Sequence, residues 1–73
     1  MSGVPRYRIE QRVPTMATLI VGFADTPRQY RSLVAVGAGR ALREGEGGEI
    51  VVVDQETEAD LVSRPVRAPA PGA

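Results

Sequence analysis

Seventy-three residues with nine Arg, no Lys, nine Asp plus Glu and no His sum to zero formal net charge, and set an upper bound of one small domain. A chain of this length hides only about 60% of the surface its unfolded form exposes, so close packing or a partner chain must supplement a thin core. Without Cys or His there is no disulfide, no thiol chemistry, no usual ligand for zinc, haem or iron-sulfur and no imidazole base, so no metal, cofactor or catalytic activity is expected.

Arg6 to Val13 alternates, with Tyr7, Ile9, Gln11 and Val13 on one face and Arg6, Arg8, Glu10 and Arg12 on the other. This is the pattern of a half-buried strand whose charged side suits an edge position protected from aggregation. After Pro14 and Thr15, Met16 to Ala24 forms a second strand that closes a hairpin. Its residues are apolar on both faces, with Leu19, Val21 and Phe23 opposed to Met16, Ile20 and Ala24, which predicts an interior place in the sheet.

Thr26, Pro27 and Gln29 supply an N-cap, a first helical residue and a capping-box partner, so a helix is expected from Pro27 to Glu44. Tyr30, Leu33, Val34, Gly37, Ala38, Ala41 and Leu42 recur at helical spacing and define its apolar face. Small residues in the middle of that face allow the helix axis to come close to a sheet. Gly45 marks the stop. Glu49 to Asp54 is a third strand, apolar on both faces, and Glu58 to Val66 alternates as a fourth after the turn at Asp54 to Thr57.

The predicted architecture is therefore α+β: a small ββαββ domain over residues 1–66, with one helix packed on one face of a four-stranded, mainly antiparallel sheet. Residues 67–73, rich in Pro and Ala, read as a flexible tail. The polar N-terminal segment lacks the apolar stretch of roughly 7 to 15 residues that a secretory signal requires. The longest apolar run is far short of the ~20 residues that span a bilayer, so a cytoplasmic protein without a membrane partner is expected.

Three features invite a functional reading. The Gly37-x-Gly39 stretch imitates a dinucleotide fingerprint, but Leu42 occupies its third glycine position and no phosphate-binding helix follows. Asp54, Glu56, Glu58 and Asp60 resemble the opening of a calcium loop, yet Ala59 and Pro65 stand where its Gly and bidentate Glu belong, leaving a solvated acidic turn. Arg28, Arg31, Arg40 and Arg43 form a cationic stripe opposite the apolar face of the helix, suited to phosphates or an acidic partner. The chain's neutrality and its three aromatic residues weigh against nucleic acid.

The order of two strands, a capped helix and a second hairpin resembles several small bacterial domains, including the arm-binding domains of phage integrases. This likeness is of topology alone and carries no residue motif onto the chain. The function expected from the residues is that of a non-catalytic interaction module. One helix covers one face of the sheet, leaving Leu19, Val21, Phe23, Val51 and Val53 as the candidate interface of a homodimer or of a subunit in a larger assembly. Nucleic-acid binding through the arginine stripe is the second expectation.

Overall fold

A computed structural model describes residues 3–14 and 16–66; the proposed tail at 67–73 lies outside the described residues. The elements are β1 (Tyr7–Arg12), β2 (Leu19–Ala24), α1 (Pro27–Arg43), β3 (Glu49–Asp54) and β4 (Ala59–Pro65), in the expected ββαββ order. All pairings are antiparallel, and the four strands lie in the order β2-β1-β3-β4. Helix α1 packs on β2, β1 and β3, while β4 extends beyond its main contacts.

The helix begins as its residues dictate. Thr26 is the N-cap in extended backbone, its hydroxyl accepts from the Gln29 N–H at 3.3 Å, and Pro27 occupies the first turn. The Gln29 side chain reaches back to the N–H of Asp25 at 2.8 Å, one residue beyond the usual capping-box target. Glu44 is the C-cap, and Gly45 adopts a positive φ of 71°.

Below the helix, Ile9, Ile50 and Val52 meet Val34, Ala38 and Ala41, with Ala24 and Val66 completing the buried core. Gly37 is buried with Val21 against it, which is the close approach that the small-residue face foretold. Tyr7 and Tyr30 flank the core edge to face, with ring centroids 5.0 Å apart. Leu42, expected on the buried face, is 42% exposed because it lies at the margin of a helix that rests on three strands.

The strand order reverses two expectations. The charged β1 is interior and the apolar β2 is an edge. Two bulges also change the faces. Between Ile9 and Glu10 the β2 register slips by one residue, so Phe23 pairs with Arg8 and Ile20 with Glu10, and both lie on the face away from the helix. Leu19 pairs with Gln11 on the helix side, where Val21 also points. The second bulge sets Asp60 opposite Val53 and Ser63 opposite Val51 on the helix-free face, and Val62 opposite Val52 on the helix side.

Candidate functional site

The helix-free face of the sheet has its own cover, built from side chains of β1. Arg8, Glu10 and Arg12 project there, opposite Val53, Val51 and Glu49 of β3. Glu10 accepts from Arg8 Nε at 2.8 Å and from Arg12 Nε at 2.9 Å. Each arginine then reaches across β3: Arg8 to Glu58 at 3.1 Å, and Arg12 bidentately to Asp60 at 2.8 and 3.0 Å. The arginines share this face with Val51 and Val53, where long side chains can cover apolar surface with their stems while the charged ends pair with carboxylates. Val51 is consequently 0% exposed and Val53 1%.

This arrangement corrects the expectation that Val51 and Val53 lie bare in a single chain. Leu19 and Val21 are also half-buried on the helix side. Of the five apolar residues singled out, only Phe23 is exposed, at 50%, and Ile20 beside it on the same face of β2 is equally exposed.

The electrostatics follow the same geometry. Burial pushes the Glu10 carboxyl up, but hydrogen bonds from Arg8 and Arg12 outweigh it and hold the group below its ordinary range. Hydrogen bonding from Arg12 holds Asp60 low, and Arg6, through paired contacts of 3.1 Å, does the same for Asp54. Arg6 also pairs with Glu56 at 3.2 Å. The four carboxylates that resemble a calcium loop are thus each paired with an arginine, and among the described residues no cluster is arranged to hold a metal ion. The complementarity was readable as two runs at spacing two, Arg6 and Arg8 against Asp54 to Asp60, but only strand pairing brings them together.

The predicted arginine stripe divides. Arg28, Arg31 and Arg43 are exposed, and their side chains pair with no carboxylate among the described residues. Arg40 leaves the stripe: its Nη2 donates to the buried Gln11 at 3.5 Å, and its Nε lies 3.9 Å from Glu44, buried and without a hydrogen bond among the described residues. Gln11 in turn donates to Glu46 at 3.2 Å, which ties the end of the helix to the sheet.

An arginine that the sequence did not flag, Arg64, is exposed on β4 and likewise has no carboxylate partner among the described residues. With Arg31, Tyr30, Val34 and Val62 it lines a groove of about 310 Å³ between the flank of α1 and β4. No helix of the described residues is long and apolar enough to cross a membrane. In comparisons with known proteins, no family model, no curated protein and no solved structure matches the chain.

Proposed function

We propose that the protein is a non-catalytic interaction module that acts as a homodimer or as a small subunit of a larger assembly, associating through the outer face of β2. The observation that supports this reading is the pair Ile20 and Phe23, each 50% exposed side by side on the helix-free face of the edge strand β2. Two such strips brought together would remove large apolar side chains from water without disturbing the ion pairs. Light scattering at micromolar concentration should then give twice the 7.8 kDa chain mass. Phe23→Asp should return the protein to a folded single chain, since Phe23 contributes little to the core. A wild-type protein that stays single at millimolar concentration overturns the reading.

Nucleic-acid binding is a second reading, supported by the cations Arg28, Arg31 and Arg43, which have no carboxylate partner among the described residues. They are spread along a 17-residue helix, roughly 25 Å from end to end, a length comparable with several phosphate spacings. Retention on duplex DNA or structured RNA that falls steeply with salt, and is lost when all three become Gln, is the result that would put this reading first.

A further inference from the structure

We propose that the groove between α1 and β4 receives an extended acidic segment of a partner protein, which adds to the sheet as a fifth strand beside β4. The inference rests on reading the protein as an interaction module but not on self-association through β2, which lies at the opposite edge of the sheet.

Three observations converge. All seven residues of β4 are exposed, and its outer edge is unpaired among the described residues, so a row of backbone donors and acceptors faces outward. The helix leaves this strand uncovered, and the resulting groove has an apolar floor of Tyr30, Val34 and Val62. Arg31 and Arg64 converge on the same groove without a carboxylate, whereas six of the seven ion pairs among the described residues use Arg6, Arg8 or Arg12. Glu58 and Asp60 are committed to Arg8 and Arg12 on the far face and Asp54 and Glu56 to Arg6, so the groove itself is lined by arginines and no carboxylate.

Charge complementarity selects the occupant. A second copy of β4 laid antiparallel would bring two more guanidinium groups from its own Arg31 and Arg64 into the seam, where like charges repel. A nucleic acid would find only two cations in the groove and a Tyr30 ring already engaged edge-on with Tyr7. An extended peptide satisfies all the groups. Val62 and Arg64 share the helix side of β4, so an antiparallel strand would place a carboxylate opposite Arg64 and, two residues later, an apolar side chain opposite Val62.

The test uses the full chain, in wild-type and Phe23→Asp forms, titrated with a capped heptapeptide TETVTVT and with its charge-reversed counterpart TKTVTVT. Backbone amide shifts report where each binds. The expected result is saturable perturbation of 61–64 and of Tyr30 and Arg31 by the first peptide in both forms of the protein. Reversing the peptide's charge, or changing Arg31 or Arg64 to Gln, should weaken binding by about tenfold, the equivalent of one charge-assisted hydrogen bond. Both arginines are exposed and have no carboxylate partner among the described residues, so their replacement should leave the fold intact, as circular dichroism would verify.

Equal binding of the two peptides, perturbation at β2 instead of β4, or no perturbation at about millimolar peptide, a bound well above the micromolar affinities of specific association, overturns the proposal. So does competition for Arg31 and Arg64 by single-stranded RNA that displaces the peptide. Failure of self-association is read separately from the scattering of the unliganded protein and leaves this result standing.

Discussion

Glu10 and Val51 are cross-strand partners on the side of the sheet that carries no helix, and both are almost fully buried. The carboxylate is held between Arg8 and Arg12, which flank it on the same face of β1. A four-stranded sheet with one helix thereby acquires a second covering layer made of side chains rather than of secondary structure. Glu10→Ala removes the acceptor shared by both arginines and opens the cover over Val51. A loss of about 1–3 kcal/mol is expected from leaving such donors unpaired. Denaturant titration measures it, and Asp60→Asn, at the more exposed end of the same lattice, should cost less.

The lattice also sets a pH dependence. Glu10, Asp54 and Asp60 all have carboxyl pKa values below their ordinary 4.5 or 3.8 in the folded chain. The unfolded chain therefore binds protons first on acidification, so the contribution is complete above the unfolded values and disappears as pH falls through the folded ones. The denaturation midpoint should stay level from neutrality to about pH 5 and drop below that, and Glu10→Gln should flatten part of the drop. Stability that rises on acidification would contradict this account.

Gly37 and Gly39, two residues apart on the same helix, should respond oppositely to substitution. A Cβ on Gly37 would sit 3.0 Å from Val21 Cγ1 and 3.6 Å from Ile50 Cδ1, whereas one on Gly39 meets nothing within 4 Å. Gly39→Ala should stabilise by up to about 1 kcal/mol through helix propensity. Gly37→Leu should destabilise despite the same propensity gain, because overpacking costs about 1–3 kcal/mol. Melting temperatures of the two variants decide whether the helix is seated as described.

Gly48 holds a φ of 87°, and a side chain there would collide with the Arg12 carbonyl oxygen while its own carbonyl accepts from Val66 at 3.0 Å. Strain and collision act together. Gly48→Ala should therefore lower stability more than any other glycine-to-alanine change in the described residues, as a comparison of denaturation midpoints would show.

Loss of the N-cap is a smaller effect. Thr26→Ala removes the acceptor for the Gln29 N–H and should cost about 1 kcal/mol, with faster amide exchange confined to the first turn of α1.

Local patterning was sufficient for the element order, because capping residues, glycine stops and apolar periodicity act within a few residues of chain. The Thr26-Pro27-Gln29 start and the apolar run of Glu49–Asp54 appear in the structure where the sequence placed them. Strand order was not accessible in the same way. An alternating strand such as β1 suits an edge when its charges face water, yet here its arginines find carboxylates across β3 and the strand belongs inside. The faces of Phe23 and Asp60 depended on bulges, each of which shifts the side-chain alternation by one residue. Arg64 gained interest only when the uncovered β4 brought it beside Arg31. Periodicity records which residues share a face of one element, whereas ion-pair lattices, edges and grooves depend on distances between elements far apart in the chain, and those distances are set by tertiary packing.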